Sequence, residues 1–166
     1  MKIVFLGIGT NLGSREINLE KAIERIGEFI GPVIKSSSIY ETEPWGFQSD
    51  EEFLNQVAMV RTDLNPSGLL GRILMIESML GRVRGEKRYE SRVIDIDILL
   101  YDDIIVDEES LKIPHPLMHQ RRFVLVPLSE LAPDMMHPVL KKTVADLLEI
   151  CEDKGVVRLH PPSPSP

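Results

Sequence analysis

The order in which the spacing of apolar residues changes along the chain places the strongest limit on its fold. Residues 2–8 form a short β-branched run typical of a buried strand, whereas residues 19–30 carry apolar side chains at the spacing of an amphipathic helix. The predicted elements are strand, helix, strand, strand, helix and strand, at residues 2–8, 19–30, 33–42, 53–64, 65–80 and 93–100. This βαββαβ order predicts an α+β, ferredoxin-like core with a mainly antiparallel sheet and helices packed on one face.

Residues that favour caps and turns mark the helix boundaries. Gly31-Pro32 ends the first helix. Asn65-Pro66 begins the second, because Asn caps exposed amides and Pro is tolerated at the first helical position, and Gly81 ends it.

Further elements follow this core as C-terminal additions. We expect a hairpin-like stretch up to Ile113, a loop rich in Pro and His, an apolar strand at residues 123–126 and a last helix after Thr143. The 166 residues suit one domain, which we place at residues 1–160. Residues 161–166 contain only Pro and Ser and are expected to be disordered.

Composition excludes several classes of protein. The single cysteine, Cys151, permits no internal disulfide and no cysteine-based zinc cluster, which suits a reducing, cytoplasmic location. No apolar run approaches the length of a membrane span, so no membrane association is expected. A net charge of −7 and 5% aromatic residues argue against nucleic-acid binding.

Basic residues are nevertheless concentrated in one short segment. Residues 82–92 hold five of the 19 Lys and Arg residues, against two acidic ones. A local positive patch on an acidic protein indicates that the ligand is a small polyanion.

Asp95 and Asp97 follow this basic segment on the predicted strand. Side chains two residues apart on a strand share a face, with Cα atoms roughly 6.5 Å apart. Two carboxylates on an apolar strand are costly to desolvate unless a cation lies between them, and Mg²⁺ takes such hard oxygen ligands together with substrate phosphates. The alternative is a solvated edge face with two ordinary aspartates. Arg82, Arg84 and Arg92 favour a nucleotide, because guanidinium groups match phosphate oxygens, whereas isolated surface ion pairs explain the cluster poorly.

Other motifs carry less information. The run from Gly7 to Gly13 resembles a dinucleotide-binding loop, but Leu12 stands where the third glycine belongs, so we interpret the run as a turn. His115 and His119 lack the helix and the glutamate of a zinc protease. We expect His119, His137 and His160 to be structural and Cys151 to be a small buried hydrophobe, whereas His115, near Arg121, could contact phosphate.

Several segments together resemble the 6-hydroxymethyl-7,8-dihydropterin pyrophosphokinase family of folate biosynthesis. The resemblance covers roughly residues 2–150, in order and with short gaps. Its segments are Ile8-Gly9-Thr10-Asn11-Leu12-Gly13, Tyr40-Glu41-Thr42-Glu43-Pro44-Trp45-Gly46, Phe53-Leu54-Asn55, Gly81-Arg82-Val83-Arg84, Arg92-Val93-Ile94-Asp95-Ile96-Asp97-Ile98-Leu99, Ile113-Pro114-His115-Pro116, Arg121-Arg122-Phe123 and Pro127-Leu128-Ser129-Glu130-Leu131-Ala132-Pro133.

The resemblance implies transfer of diphosphate from ATP to the pterin hydroxymethyl group, with release of AMP. It implies two Mg²⁺ ions held by Asp95 and Asp97, with Arg82 and Arg92 stabilising the transferred charge. The implied ATP-binding residues are Glu77, Arg84, Tyr89, Arg92, Ile98, His115 and Arg121. The implied pterin-binding residues are Thr42, Pro44, Trp45, Gly46, Phe53, Asn55 and Phe123, in which Phe53 and Phe123 sandwich the ring and Asn55 contacts its polar edge. ATP and the pterin are then the partners, and we expect a monomer.

A few positions depart from the pattern of the resembled family. Tyr89 stands where Trp is frequent, Glu90-Ser91 replaces Gly-Pro, Leu74 occupies a position that is often Gln, and Phe53 replaces Tyr.

Two alternative hypotheses for the function make different predictions. An oxidoreductase would bind NADH or NADPH without magnesium, and a ferredoxin-like RNA binder would carry adjacent aromatics and a basic face.

Overall fold

A computed structural model of the chain describes residues 1–42, 52–81 and 93–161. Within these ranges there are eight strands, four α-helices and one short 3₁₀ helix at Met118–Gln120. The strands are β1 (Lys2–Thr10), β2 (Val33–Ser36), β3 (Tyr40–Thr42), β4 (Phe53–Thr62), β5 (Asp95–Tyr101), β6 (Val106–Asp107), β7 (Lys112–Ile113) and β8 (Val157–Leu159). The helices are α1 (Arg15–Phe29), α2 (Pro66–Met79), α3 (Arg122–Leu131) and α4 (Val144–Ile150).

The main sheet has the strand order β5-β1-β4-β3-β8, and β2 also pairs with β4. Every pairing in this sheet is antiparallel. The central position of β1 and β4 and the βαββαβ order confirm the predicted ferredoxin-like fold. The predicted hairpin before Ile113 is formed by β6 and β7.

The two faces of the sheet are covered by different helices. The helices of the βαββαβ core, α1 and α2, pack on the face that carries Leu6, Ile8 and Ile96. The C-terminal helices α3 and α4 cover part of the opposite face, where they meet Phe5, Val57 and Leu99. A polar site on this second face is therefore bordered by the C-terminal additions.

The predicted strand at residues 33–42 is divided into β2 and β3, and both pair with β4 as expected. The division lies at Ser37, whose backbone N–H donates to the Val57 carbonyl oxygen (2.8 Å). The Ser37 hydroxyl in turn accepts from the Val57 N–H (2.9 Å). A serine side chain thus replaces one rung of the backbone ladder and lets the chain bend there.

The predicted ends of α1 and α2 and the predicted start of α2 are confirmed, whereas α1 begins at Arg15, four residues before its predicted start. The Asn65 side chain accepts a hydrogen bond from the Gly68 N–H (2.7 Å) at the start of α2, and Gly81 follows the helix with a φ of 92°. Thr143 caps α4 by accepting from the Asp146 N–H (3.1 Å). Cys151, directly after α4, is 5% exposed and behaves as a buried hydrophobe.

The predicted strand at residues 123–126 is wrong, because these residues lie in α3. Val124, Leu125 and Leu128 are all buried, and their spacing of one and three residues places them on one helical face against the sheet. The four-residue run is compatible with a buried helix as well as a strand. Pro127 does not end the helix, although proline in a helix removes one backbone hydrogen bond.

Strand boundaries also differ from the sequence-based expectations. Strand β1 extends to Thr10, β5 begins at Asp95 rather than at residue 93, and β8 was not predicted. No helix in the described residues is both long enough and apolar enough to cross a membrane.

Gly31 provides a test of how closely the chain approaches β4 just after the end of α1. A Cβ atom at Gly31 would lie 1.9 Å from the Arg61 carbonyl oxygen, so Gly31→Ala requires a backbone shift. We expect the free energy of unfolding to fall by about 2–3 kcal/mol. The control is Gly27→Ala, since Gly27 is exposed within α1 and a Cβ there meets nothing within 4 Å. That change should stabilise by about 0.5–1 kcal/mol. Equal urea midpoints for the two variants would contradict the close approach.

His137 makes stability depend on pH. Its Nδ1 accepts from the Val139 and Leu140 N–H groups (3.2 and 3.0 Å), and burial, with a smaller contribution from His119, lowers the pKa of His137 below its usual 6.5. The unfolded chain therefore binds more protons, so this stability is complete above pH 6.5 and declines as pH falls below it.

His137→Asn keeps an acceptor oxygen but does not titrate. Urea unfolding of this variant should show a weaker dependence on pH below 6.5 than the wild type. His119→Gln is the control and should keep most of the slope, because burial of His137 is the larger cause. A wild-type slope in His137→Asn would contradict this assignment.

Candidate active site

A cleft of about 440 Å³ lies along β5 and the adjoining ends of β1 and β4. Helix α2, the β6–β7 hairpin and the segment from His115 to Val124 complete its walls. Every sequence-predicted site residue within the described ranges lines this cleft, namely Thr42, Phe53, Asn55, Glu77, Asp95, Asp97, Ile98, His115, Arg121 and Phe123. The predicted residues that lie outside the described ranges are Pro44, Trp45, Gly46, Arg82, Arg84, Tyr89 and Arg92.

Asp95 and Asp97 lie on the same face of β5, as predicted. They are half-buried, whereas Ile96 and Ile98, which alternate with them, are buried in the core on the α1 and α2 side. The Nε2 atom of His115 lies 4.0 Å from Oδ1 of Asp97. No group of three metal-binding side chains is present among residues 1–42, 52–81 and 93–161. Two carboxylates on one face of a strand that lines a cleft are a donor set that suits Mg²⁺.

Glycines on β1 face the two aspartates. In the antiparallel register Gly9 pairs with Asp95 and Gly7 pairs with Asp97. Gly9 also pairs with Asn55 on its other side, and a Cβ there would lie 3.1 Å from the Asn55 Oδ1 atom. The two glycines therefore leave space on the floor of the cleft between the carboxylates and the Asn55 amide.

This arrangement corrects the interpretation of the Gly7 to Gly13 run as a turn. Gly7 and Gly9 lie within β1, and only the residues after Thr10 turn, with Gly13 at a φ of 70°. A dinucleotide-binding loop places its glycines between the strand and the helix. The glycines of this chain instead shape the surface of the sheet.

Asn55 and Thr42 form a buried polar pair at one end of the cleft. The Asn55 Nδ2 atom donates to the Thr42 hydroxyl oxygen (2.6 Å), and the two residues are 8% and 4% exposed. This bond sets which way the Asn55 amide points. Phe53 and Phe123 line the cleft nearby, and the Arg121 guanidinium carbon lies 5.7 Å from the centre of the Phe123 ring.

The strand that carries Thr42 is held from two directions. Strand β8 pairs with β3, so that Val157 lies opposite Thr42 and Arg158 opposite Glu41. The Tyr40 hydroxyl donates to Glu130 on α3 (2.6 Å). Burial and this bond raise the pKa of Tyr40 to about 12, so the hydroxyl keeps its proton and remains a donor at neutral pH.

The segment directly after β8 contacts β3 and α1 through His160. Its Nδ1 lies 2.8 Å from Glu41 Oε1 and its Nε2 lies 3.0 Å from Glu16 Oε1. The structural role expected for His160 agrees with these contacts. His119 and His137 also contact each other, with ring centres 6.4 Å apart in an edge-to-face arrangement.

Glu77 occupies the side of the cleft formed by α2. It is 3% exposed, and its Oε2 atom accepts a hydrogen bond from the Ile96 N–H (2.9 Å) on the outer edge of β5. Ile98 lies two residues further along, and alternate residues of a strand direct their backbone groups to the same side. The backbone of Ile98 therefore faces the same region as the Glu77 contact.

Some lining residues were not predicted as site residues. They include Leu70 on α2, Ser110 and Lys112 near the hairpin, and the two glycines of β1. The Lys112 ammonium contacts Asp107 Oδ1 (2.6 Å) across the hairpin. Glycines in a strand signal a close approach of a ligand or another chain segment, and this signal was available in the sequence. Ser110 and Lys112 carry no comparable signal.

Family comparison decides the class of protein. The model of the 7,8-dihydro-6-hydroxymethylpterin-pyrophosphokinase (HPPK) family matches residues 5–133. The chain belongs to this family. The predicted resemblance is therefore confirmed, and so is the prediction of an enzyme, a diphosphotransferase that acts on small molecules with ATP as co-substrate.

Relatives cover nearly the whole chain. The 2-amino-4-hydroxy-6-hydroxymethyldihydropteridine pyrophosphokinase of Methylorubrum extorquens is 41% identical over 161 residues, which are 96% of this chain and 100% of that protein. The protein of the same name from Aquifex aeolicus is 40% identical over 146 residues, 88% of this chain and 90% of the relative.

Solved structures confirm the fold. An HPPK-DHPS structure in complex with substrates matches with a TM-score of 0.72 at 16% identity, covering 89% of this chain and 43% of the longer one. Plasmodium falciparum HPPK-DHPS matches with a TM-score of 0.73 at 20% identity, covering 89% and 44%. This HPPK-family chain thus spans less than half of those two proteins.

Proposed function

We propose that this protein transfers diphosphate from ATP to the hydroxymethyl group of 6-hydroxymethyl-7,8-dihydropterin and releases AMP, as a step of folate biosynthesis. The observation that carries the proposal is that Asp95 and Asp97 share one cleft with Phe53, Asn55 and Phe123. The phosphate chain of a nucleotide and a flat heterocycle would meet there, within reach of the same two carboxylates.

The proposed reaction is an in-line displacement at the β-phosphorus of ATP. The hydroxymethyl oxygen forms a bond to the β-phosphorus while the bond from that phosphorus to the oxygen bridging to the α-phosphorus breaks. AMP leaves with the electron pair of the broken bond, and the hydroxyl proton passes to solvent or phosphate. Positioning and charge stabilisation account for most of the catalysis in such transfers.

Asp95 and Asp97 would hold Mg²⁺, with two ions expected. Their carboxylates lie on one face of β5, opposite glycines that leave room for phosphate. Divalent ions in such a site neutralise the developing charge on the phosphate oxygens. The donor set fits, because Mg²⁺ commonly uses one or two carboxylates and completes its shell with phosphates and water.

The pterin would lie between Phe53 and Phe123. Aromatic rings favour stacked contacts with a flat heterocycle, and the Asn55 amide, oriented by Thr42, would contact its polar edge. Pro44, Trp45 and Gly46 are assigned to the same subsite by the family resemblance alone.

The nucleotide would lie on the other side of the two aspartates. The backbone of Ile98 and the carboxylate of Glu77 suit polar groups of the base or ribose, and His115 and Arg121 suit phosphate. Arg82, Arg84, Tyr89 and Arg92 join this set through the resemblance, with Arg82 and Arg92 as the residues that stabilise the transferred charge. The monomeric state, the cytoplasmic location and the 1–160 domain boundary stay predictions.

The released nucleotide tests the proposed reaction. The purified protein is incubated with ATP, Mg²⁺ and the reduced hydroxymethyl pterin, and the products are separated by anion exchange. We expect AMP and the pterin diphosphate in equal amounts. ADP would indicate an ordinary kinase, and the absence of turnover with a folded protein would contradict the proposal.

Asp95→Asn and Asp97→Asn test the metal site. Each change removes a charged ligand at nearly constant volume, so turnover should fall about a hundredfold or more while the fold is kept. The matched control is Asp103→Asn, because Asp103 is exposed shortly after β5 and does not line the cleft. Steady-state rates near the wild-type value in either cleft variant would refute the assignment.

Thr42→Val tests the pterin side. The valine cannot accept the hydrogen bond from Asn55 Nδ2, so the amide loses its fixed orientation. We expect the KM for the pterin to rise about tenfold while the KM for ATP changes little. Thr42→Ser retains the hydroxyl and should stay close to the wild type. An equal rise in the KM for the pterin and the KM for ATP would argue against a pterin-specific role.

A further inference from the structure

We infer that Thr10 and Asn18 are positioning residues for Asp95, and that they act by holding the backbone of Val93. The inference rests on the proposed function, in which Asp95 binds metal. It gives a role to Thr10, which lies in the Gly7 to Gly13 run.

Thr10 and Asn18 converge on one carbonyl oxygen. The Thr10 hydroxyl donates to the Val93 carbonyl oxygen, and Thr10 itself is fully buried. Asn18 Nδ2 lies 3.1 Å from the Thr10 hydroxyl oxygen and 3.3 Å from the Val93 carbonyl oxygen. The same nitrogen donates to the Leu12 carbonyl oxygen (2.8 Å). One side chain of α1 thereby connects the end of β1, the turn after it and the segment that leads into β5.

This contact lies immediately beyond the end of a backbone ladder. The pairing of β1 with β5 ends at Gly9 and Asp95, so Asp95 lies on the terminal rung. Terminal rungs open more readily than internal ones, because fewer contacts must break. Asp97 lies two residue pairs further in, opposite Gly7, and depends less on any additional contact.

The Thr10 hydroxyl extends the connection between the two strands past this rung. Thr10 follows Gly9 on β1, and Val93 lies two residues before Asp95, so the hydrogen bond joins β1 to the segment that leads into β5, beyond the last rung. Ile94 between them is fully buried, and the Ile96 N–H is bound by Glu77. The backbone that carries Asp95 is therefore fixed on both sides.

Asp95 needs this support because of its proposed chemistry. A carboxylate that holds a metal against a phosphate chain must stay within a fraction of an ångström of its working position. Without the Val93 contact the Asp95 carboxylate would still be present, but its position would be less well defined. Turnover and the requirement for Mg²⁺ should respond, whereas pterin binding at Phe53 and Asn55 should not.

The matched variants are Thr10→Val and Thr10→Ser. Valine has nearly the same shape as threonine but cannot donate to Val93, and serine keeps the hydroxyl. For Thr10→Val we expect kcat to fall about tenfold, with more Mg²⁺ needed for half-maximal rate and an unchanged pterin KM. Thr10→Ser should remain within about twofold of the wild type on all three measures.

Amide hydrogen exchange gives a readout without substrate or metal. In Thr10→Val the amides of residues 94–96 should exchange faster than in the wild type, whereas those of residues 98–101 should keep their protection. A loss spread evenly over the chain would indicate general destabilisation and would overturn the inference. Wild-type exchange together with wild-type kcat in Thr10→Val would also overturn it, as would equal damage in Thr10→Ser.

Asn18→Leu provides a second route to the same contact. Leucine removes the amide donor at similar volume, and it should reproduce the local exchange and the kcat effect if Thr10→Val fails to fold. Wild-type exchange at residues 94–96 in Asn18→Leu would then overturn the inference. The exchange experiment also separates the two proposals. If the wild-type protein made no AMP, the proposed function would be contradicted. The amide exchange of residues 94–96 in the variants would still show whether Thr10 and Asn18 hold the backbone next to Asp95.

Discussion

The antiparallel pairing of β1 with β5 is the interaction on which the rest of the structure depends. Its register sets Gly9 against Asp95 and Gly7 against Asp97, so each carboxylate has bare backbone beside it. The same register sends Ile96 and Ile98 to the opposite face, where they join the core beneath α1 and α2. A slip of one residue would bury both carboxylates and expose both isoleucines, so the hydrophobic core and the site fix the register together.

The C-terminal additions complete the site as well as the core. Helix α3 covers the second face of the sheet with Val124, Leu125 and Leu128 and, at its beginning, brings Arg121 and Phe123 to the cleft. Glu130 near the other end of α3 accepts hydrogen bonds from Tyr40 and Ser38, on and beside β3. Helix α3 therefore helps to position both phenylalanines of the cleft. Phe123 belongs to α3, and Phe53 lies on β4, which pairs with the strand β3 that α3 contacts.

Local patterns predicted those elements in which one periodicity extends over many residues. Helix α1 and the Asp95 and Asp97 face of β5 are of this kind, and the Asn65 cap follows from side-chain chemistry alone. The run at residues 123–126 is too short to distinguish strand from helix, and the mistake arose there. Strand β8 has three residues and forms only because β3 offers it an edge, so its pattern carries little information. In the site, the resemblance supplied residue roles, whereas the Gly9 register and the Glu77 contact with Ile96 join segments distant in sequence, which no local pattern encodes.

The outer edge of β5 has a consequence for the behaviour of the protein in solution. Exposed strand edges are templates on which other chains can add and begin to aggregate. Along this edge the Ile96 N–H is bound by Glu77, and the Leu99 carbonyl oxygen accepts from the His115 N–H (3.0 Å). An incoming strand would find these positions occupied by a carboxylate and a loop and could not build a continuous ladder. Glu77 and the loop at His115, which line the cleft, thus also protect the protein from edge-to-edge association.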